Sequence, residues 1–506
     1  MATTASQQDV LISERVAGGI LPKVLNSFDM VAIFVAIVLF ISNAGVVSGA
    51  GGAAYVFWVI GFLTFLIPGA IVTGQLGLMF PGEGSIYVWT HKAFGKFWGF
   101  FAGFCAWWPG VLVMVATGAA VVTLITLLGA NHSQTWLGEP WEQGLVILVV
   151  IAFSMVLSWM RFRAAQNLVN VIFVAYGAAI LLVGLAGLFW LINGNTPQGD
   201  FTSAGWTPST GKFTFYGLVI LALLGIEVPL NMGVEIRNVR SITKYLFWGS
   251  IVVMAAYLLG TFGVQMTVPR AVQQQASPAA VGLAVQLGFG GVGTFLSDVV
   301  TVVFIGFFLF NTAVYNYSFG RLLFVSGLDQ RLPAAMSKVN KNRVPWVAVL
   351  VQSVIAAVVT ILSYFLPYLF SSANTADLST RVYDVLQAAV TVIWCISMVI
   401  LFVDVVFIRF KYKETFEEKK LAPSWVFYLC SVIGLVASAV GIIVTFLNPW
   451  TTSVSGTDWW EILVVIAVAS LVVGVVVFFI GQATVARSAP PEAPAASGDA
   501  SVSPAS

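Results

Sequence analysis

Long apolar stretches alternate with short polar connections along almost the whole chain. A hydrocarbon core of about 30 Å is crossed by a helix of about 20 apolar residues, and this measure divides the sequence into twelve spans. The spans run at about residues 28–49, 53–74, 96–128, 144–160, 168–192, 213–234, 244–268, 289–320, 346–366, 383–408, 424–447 and 460–482. The pattern predicts an all-α membrane protein that crosses the bilayer twelve times.

The basic residues are distributed unequally between the two sides of these spans. If the N-terminus is cytoplasmic, only Lys212, Arg270 and Arg381 fall on the outer side, and the other twenty of the 23 Lys and Arg residues fall on the inner side. Cytoplasmic loops carry such an excess of basic residues. The distribution therefore predicts that both termini are cytoplasmic and that no basic side chain lies deep in a span.

The composition excludes an ordinary soluble protein. Mean hydropathy is +0.95 and charged residues make up 9% of the chain, against about 25% in soluble domains. The net charge of +2 comes from scattered basic clusters, so no nucleic-acid partner is expected. Residues 1–27 contain no apolar segment of a signal peptide and are predicted to be a cytoplasmic N-terminal segment. Residues 487–506 are rich in Ala, Pro and Ser, which predicts a disordered cytoplasmic tail.

The cysteine and histidine residues, which are common ligands of metals and haem, lie in positions that do not favour a metal or haem site. Cys105, Cys395 and Cys430 lie in apolar stretches and are interpreted as small core residues. His91 and His132 lie in polar connections rather than inside a span. This excludes bis-histidine haem in the bilayer and argues against a histidine-rich metal centre. The sequence predicts no metal and no cofactor.

Irregular spans occur in matching places, five spans apart. The third and eighth are both unusually long, and the first and sixth are both interrupted. The interruption of the first span contains Ser42, Asn43, Ala44 and Gly45. In the sixth span the helix should open before Pro229, because proline lacks the N–H group of a helical residue and clashes with the preceding turn.

An offset of five spans is typical of inverted-repeat transporters, which bind their substrate at two broken helices. Backbone groups exposed at such a break must face protein, water or a ligand, because lipid cannot satisfy them. The pattern predicts a first repeat at residues 28–192, a second at 213–408 and two further helices at 424–482. The alternative is that glycines and a proline only kink packed helices.

Glu227 is the sharpest candidate for chemistry, because it lies near the middle of the sixth span. A lone carboxylate at that depth costs a few kcal/mol, and no Lys or Arg lies deep in a span to pair with it. Burial without a cation favours the protonated form of a carboxyl group. We interpret Glu227 as a proton-binding or gating group, or as a contact to a substrate ammonium. The alternative is a structural acid bonded to neighbouring backbone or hydroxyl groups.

Other polar and aromatic residues in the spans are weaker candidates. Asp298 and Asp404 lie towards the ends of their spans and are interpreted as end-of-helix groups rather than pathway groups. Trp107 lies in the third span, and Asn311 and Tyr315 lie in the eighth. Aromatic side chains there could close over a substrate or attract its ammonium by cation–π contact. Packing against other helices is the alternative for each of them.

Several short segments also carry a family likeness. In chain order they are residues 80–87 (FPGEGSIY), 225–227 (GIE), 235–240 (EIRNVR), 320–333 (GR to DQRLP) and 344–345 (VP). Through these segments the chain resembles the amino acid/polyamine/organocation superfamily of transporters. The likeness extends over nearly all twelve spans and is closest to the glutamate/GABA and arginine/agmatine antiporters.

The resemblance implies a LeuT-like fold of five-plus-five inverted repeats with two C-terminal helices. It also implies alternating access, with the substrate held by the unwound parts of the first and sixth spans. With the residues considered above, the predicted substrate-binding residues are Ser42, Asn43, Ala44, Gly45, Trp107, Gly225, Ile226, Glu227 and Tyr315. The resemblance links Glu227 to gating or protonation and matches Tyr315 to an aromatic position near the substrate.

The chain departs from the family pattern in two places. The glycine-rich carboxylate cradle of the first span is replaced by the apolar residues 36–40, and Val239 stands where proline is usual. No lysine lies in the fifth span, where some proton-coupled relatives have one. The first departure removes the usual means of recognising a substrate α-carboxylate, although the glutamate/GABA branch also lacks those glycines. The missing lysine means that no fixed lysine stands in for sodium.

The function expected is secondary active transport of an amino acid or related amine across the plasma membrane, coupled to protons or to exchange. A bacterial inner membrane is the expected location. A membrane enzyme would need converging acids, bases or metal ligands, and the spans offer isolated carboxylates. A nutrient sensor with the fold of a transporter but without turnover remains the alternative.

Overall fold

The computed structural model describes residues 10–274, 279–365, 378–450 and 454–488. These parts of the chain are helical, with one isolated bridge between Leu25 and Ile236. Eleven helices are long and apolar enough to cross a membrane, and the bent pair of helices near the N-terminus completes a twelfth span. The prediction of an all-α membrane protein is confirmed. Most of the expected tail at 487–506 lies outside the described residues.

The spans are numbered 1 to 12 in chain order, and each corresponds to one predicted from the sequence. Their bounds are Ser27–Val38 with Ser42–Ala50, Ala53–Met79, Lys96–Asn131, Pro140–Trp159, Phe162–Ile192, Thr214–Glu235, Arg240–Thr267, Gly290–Leu328, Trp346–Phe365, Arg381–Lys411, Ser424–Leu447 and Gly456–Thr484. A shorter helix precedes span 1 at Ile12–Ile20, and others lie between the spans at Ser85–Phe94, Ser203–Trp206, Arg270–Gln273, Ala280–Gly288 and Lys413–Glu418. We call the end of the bundle that carries Ile12–Ile20 the N-terminal face.

Burial divides the spans into a central group and a peripheral group. In its most apolar stretch span 6 is 94% buried, whereas span 12 is 28% buried. Span 3 packs along spans 8 and 10, and span 7 packs along spans 1 and 5. Large aliphatic side chains such as Val171, Val432 and Val465 are exposed on the outside, as expected of helices that face lipid. Spans 1 and 6 therefore lie inside the bundle.

Both central spans are broken within the bundle. The first helix of span 1 ends at Val38 and the second begins at Ser42, with a bend of 43°. In span 6 the helix stops at Leu223, before the proline that the sequence pointed to, and a 3-10 helix continues the span at Val228–Glu235. The proline occupies the first turn of that second segment, where its missing N–H group needs no partner.

The two breaks lie against each other. Gly225 has a φ angle of +102°, which glycine adopts at little cost and other residues rarely adopt. A Cβ atom at this position would lie 2.3 Å from Cγ2 of Ile37 in the first helix of span 1. Glycine is therefore required here both by the backbone angle and by the close approach of the neighbouring helix.

Candidate functional site

A small cavity of about 10 Å³ lies between the breaks of spans 1 and 6 and the helices of spans 3, 8 and 10. Its walls include Phe40 and Asn43 of span 1, Tyr315 of span 8, and Gln387 and Trp394 of span 10. This volume accommodates about one water molecule, whereas ligand pockets are typically about 300–1,000 Å³. The structure is therefore closed around its centre, and the walls must move apart to admit an amino acid.

Tyrosine hydroxyl groups satisfy the backbone at the break of span 1. The hydroxyl of Tyr176, in span 5, accepts from the N–H of Ile41 at 2.9 Å and donates to the carbonyl of Leu39 at 3.0 Å. The hydroxyl of Tyr315 donates to the carbonyl of Ile37 at 2.8 Å. The opened helix thus exchanges its own hydrogen bonds for bonds to side chains of the surrounding spans.

A third tyrosine connects the two breaks. The hydroxyl of Tyr257, in span 7, accepts from the N–H of Phe40 at 3.1 Å. It lies 2.8 Å from the carbonyl of Val38 and 3.0 Å from the carbonyl of Ala222, so its single proton is shared between spans 1 and 6. Movement of one broken helix relative to the other must disturb this bond.

Glu227 is the last residue of the break of span 6, directly before the 3-10 helix, and is 1% exposed. Its Oε1 atom accepts a hydrogen bond from Nε1 of Trp394 at 2.8 Å. Its Oε2 atom has no hydrogen-bond partner, and no Lys or Arg in the described parts of the chain forms an ion pair with it. Because Trp394 also lines the central cavity, Glu227 contacts the wall of the cavity rather than its interior.

The structure separates the residues that the sequence singled out into three groups. Asn43 and Tyr315 line the central cavity. A second group is buried beside it without forming its walls: Ser42, Ala44, Gly45, Gly225, Ile226 and Glu227. Trp107 lies elsewhere, in the wall of a second cavity, and its Nε1 donates to Oε1 of Gln352 at 2.9 Å. Their roles in substrate binding stay predictions.

Two cavity residues in span 10, Gln387 and Trp394, were not singled out from the sequence. The Nε2 atom of Gln387 donates to the hydroxyl of Tyr383 at 3.3 Å, while its Oε1 atom has no partner in the described parts of the chain. Both amide atoms of Asn311 in span 8, 1% exposed, also lack partners. A glutamine in an apolar span was the available signal for Gln387, whereas Trp394 is one of 17 tryptophans and carries none.

The two other acids in the spans differ in their surroundings. Asp298 lies towards one end of span 8, where Nδ2 of Asn131 donates to it at 2.9 Å and Nε2 of His132 lies at 2.9 Å. Asp404 is fully buried, and its Oδ2 accepts from the hydroxyl of Thr90 at 2.6 Å. Neither residue lines the central cavity.

A buried ionic cluster closes the N-terminal face below the cavity. The guanidinium of Arg321, 0% exposed, contacts Oε1 of Glu235 at 2.7 and 2.9 Å and Oε1 of Glu83 at 3.6 Å. Oε2 of Glu83 accepts from the N–H of Val234 at 3.2 Å. Glu83 lies in the connection after span 2, where burial, and then the adjacent Glu235 carboxylate, raise its pKa.

The helix Ile12–Ile20 lies over this cluster and is held by two polar contacts. The backbone N–H and the hydroxyl of Ser13 each donate to the carboxylate of Asp329 at 2.8 Å. Lys92 forms an ion pair with Glu14 at 2.9 Å. Because these bonds join the segment before span 1 to the ends of other helices, any opening of the N-terminal face must break them.

Comparison with known proteins agrees with this architecture. A family model described as amino acid permease matches residues 24–486. The chain belongs to the amino acid permease family. An uncharacterized transporter of Legionella pneumophila is 25% identical over 84% of this permease and 90% of its own length. The probable agmatine/putrescine antiporter AguD of Lactococcus lactis is 23% identical over 67% of this chain and 72% of its own. The aromatic amino acid transport protein AroP of Salmonella typhimurium is 25% identical over 65% and 71% respectively.

The predicted resemblance to this superfamily is thereby confirmed, and the permease is a secondary transporter of the amino acid and amine class. The motif segments named above converge in the structure. Glu83 comes from the segment after span 2, and Glu235 from the segment that begins at the last residue of span 6. Arg321 and Asp329 come from the segment at the end of span 8. The family-like residues thus form the closed N-terminal face, as well as the break at Glu227.

Replacing Tyr315 by phenylalanine is expected to destabilise the permease by about 1–3 kcal/mol, because the buried carbonyl of Ile37 loses its donor. Tyr364→Phe is the matched control, since the Tyr364 hydroxyl is buried and has no hydrogen-bond partner among the described residues. Thermal unfolding in detergent measures both variants. Equal midpoints for the two variants would contradict a structural role of the Tyr315 hydroxyl at the break.

Proposed function

We propose that the permease moves one ammonium-bearing substrate, an amino acid or a related amine, across the cell membrane by alternating access at the central cavity. One observation carries this proposal: the breaks of spans 1 and 6 meet at a closed cavity whose wall includes the partner of Glu227. The cycle requires no catalytic residue. The paired breaks and the unusual lengths of spans 3 and 8, 36 and 39 residues, support two inverted repeats at residues 28–192 and 213–408.

The proposed orientation has the N-terminal face in the cytoplasm, in a bacterial inner membrane. The excess of basic residues on that side supports it. The closed ionic cluster of Arg321 and the helix Ile12–Ile20 then form a cytoplasmic seal. Substrate would enter from the opposite side in a conformation in which the walls of the cavity have separated.

The chemistry of the cavity favours a cationic group over a carboxylate. At the break of span 1 the N–H groups of Phe40 and Ile41 already donate to tyrosine hydroxyls. Free acceptors remain nearby, since Oε1 of Gln387 and Oε2 of Glu227 have no partners. An ammonium group supplies the donors that these acceptors lack. A substrate with two ionised carboxylates is disfavoured, because no cation among the described side chains lines the cavity.

Glu227 is proposed to couple this site to protons. A buried carboxyl with one bonded and one free oxygen can change its protonation state without rearrangement of a salt bridge. Its bond to Trp394 transmits that change to the cavity wall. When the charge on Glu227 changes, the strength of this bond changes, and the wall at Trp394 is the part that responds.

Counterflow in proteoliposomes tests the function. Vesicles loaded with one unlabelled compound from a panel of neutral, aromatic, acidic and basic amino acids and of diamines are assayed for uptake of the labelled form, with and without a pH gradient. We expect uptake for at least one of these compounds and none for its analogue in which a hydroxyl group replaces the ammonium group. Absence of counterflow for every compound would contradict transport and favour a sensor.

A further inference from the structure

A second cavity, of about 230 Å³, lies away from the substrate site between spans 3, 8, 9 and 12. Its walls include Phe104 and Trp107 of span 3, Leu323 and Ser326 of span 8, and Val473 of span 12. An enclosed apolar cavity of about 150 Å³ already holds a benzene molecule. This cavity therefore has room for a larger apolar group.

Each polar side chain in the walls already donates its hydrogen bond to another group of the protein. Nε1 of Trp107 donates to Gln352, and Nε1 of Trp108 donates to the hydroxyl of Ser470, each at 2.9 Å. The hydroxyl of Ser326 donates to the carbonyl of Leu322 at 2.8 Å. The other lining side chains are hydrocarbon, glycine or methionine. A water molecule needs two to four polar partners to be stable, so the occupant must be apolar.

The depth of the cavity places it in one leaflet. Phe100 of its wall is one turn from the start of span 3 at Lys96, and Ser326 is close to the end of span 8 at Leu328. Both helix ends lie at the N-terminal face. Val473 is 47% exposed although it lines the cavity, and span 12 is the least buried span. The cavity therefore adjoins the lipid-facing surface of that leaflet.

Basic residues stand at the rim. Lys96 begins span 3 one turn before Phe100, and Lys338 follows the lining residue Met336 by two positions. Both lysine side chains are exposed, and cations at this depth attract lipid phosphate groups. Residues 489–506 are Ala, Pro, Ser, Gly and acids with a single valine, so this segment has few apolar side chains that could fill such a cavity.

We propose that this cavity binds an acyl chain of a phospholipid from the leaflet at the N-terminal face, with Lys96 and Lys338 towards the phosphate. The site assigns a role to Trp107, which forms its wall. Gln352, which accepts from Trp107, donates to the carbonyl of Tyr315 at 3.3 Å. The lipid site is therefore one hydrogen-bonded residue away from the wall of the substrate cavity.

Photolabelling tests the proposal. The full-length permease is placed in nanodiscs that contain phosphatidylglycerol with a diazirine in the middle of one acyl chain, and adducts are mapped by peptide mass spectrometry. We expect adducts concentrated at residues 100–108 and 322–326. Even labelling of all lipid-facing helices, without enrichment at these segments, would overturn the proposal.

Two matched pairs of variants, one in span 12 and one in span 9, provide a second test. If one substitution prevents folding, the other pair still tests the proposal. Val473→Phe and Val351→Phe fill the cavity and should lose the adducts at both segments. Val472→Phe and Val354→Phe place the same ring on exposed neighbouring positions, 54% and 52% exposed, and should keep them. Retained labelling in both cavity-filling variants would overturn the proposal.

Discussion

Glu227→Gln is expected to abolish the response of transport to an imposed pH gradient while counterflow continues. Glutamine keeps a carbonyl oxygen that can accept from Nε1 of Trp394, now at 2.8 Å from Glu227, but it cannot ionise. A gradient of one pH unit is worth about 1.4 kcal/mol per proton, which sustains about ten-fold accumulation. The variant should lose this accumulation and reach only equal concentrations inside and outside.

The matched control is Asp404→Asn. Asp404 is also a buried carboxyl with one bonded oxygen, at 2.6 Å from the hydroxyl of Thr90, and one oxygen without a partner. It lies ten residues after Trp394 in span 10, about 15 Å along a helix from the cavity wall. Its variant should therefore accumulate substrate as the wild type does. A pH response that survives in Glu227→Gln would remove the proton role. Loss of counterflow as well would assign Glu227 to the substrate ammonium instead.

The number and positions of the spans could be predicted from the sequence because the thickness of the bilayer determines the length of each helix. Each helix must match the thickness of the bilayer, so twelve apolar stretches give twelve spans whatever their packing. Errors arise only at helix ends, where span 8 continues to Leu328 rather than ending near residue 320. The break of span 6 was also predictable, because the proline and the lone acid Glu227 stand out in an apolar stretch.

The face that each apolar helix turns towards the centre could not be predicted. Span 3 is apolar on all sides, so its sequence does not show which residues face the central cavity and which face the proposed lipid cavity. Trp107 was predicted to contact substrate, but it lines the proposed lipid cavity. The hydroxyls of Tyr176 and Tyr257 bind the break of span 1 from other helices. Such contacts depend on tertiary packing, and a tyrosine in an apolar span has the same local pattern wherever it points.

The ionic cluster shows the same limit for charged residues. Glu83 and Arg321 belong to segments that resemble the family, but loops and helix ends are normally solvated. Their burial arises because residues 81–84 approach the end of span 6 closely, with a Cβ atom at Gly233 falling 2.2 Å from the carbonyl oxygen of Gly82. The partners therefore become known only once the helices are packed.

Arg321→Leu is expected to destabilise the closed N-terminal face by about 3–5 kcal/mol, the range for breaking a buried ion pair from one side. Leucine leaves the carboxylates of Glu235 and Glu83, both at most 1% exposed, without their cation. Hydrogen–deuterium exchange should accelerate at residues 12–20 and 228–235, which cover the cluster. Unchanged exchange and an unchanged unfolding midpoint would show that the cluster does not hold this face closed.

Glu83→Gln removes one acid of the cluster and keeps the cation, so comparison with Arg321→Leu shows how each contributes to stability. Arg321 keeps Glu235 at 2.7 Å in this variant, and glutamine can still accept from the N–H of Val234, so the stability at neutral pH should remain close to that of the wild type or exceed it. In the wild type the pKa of Glu83 is raised above its ordinary value of 4.5, so the folded state binds the proton more tightly than the unfolded state. Stability conferred by this proton is present at low pH and is lost as the pH rises through 4.5 towards the folded-state pKa. Unfolding midpoints measured across that window should therefore fall less steeply with pH in Glu83→Gln than in the wild type, and parallel curves would exclude Glu83 as the group that binds the proton.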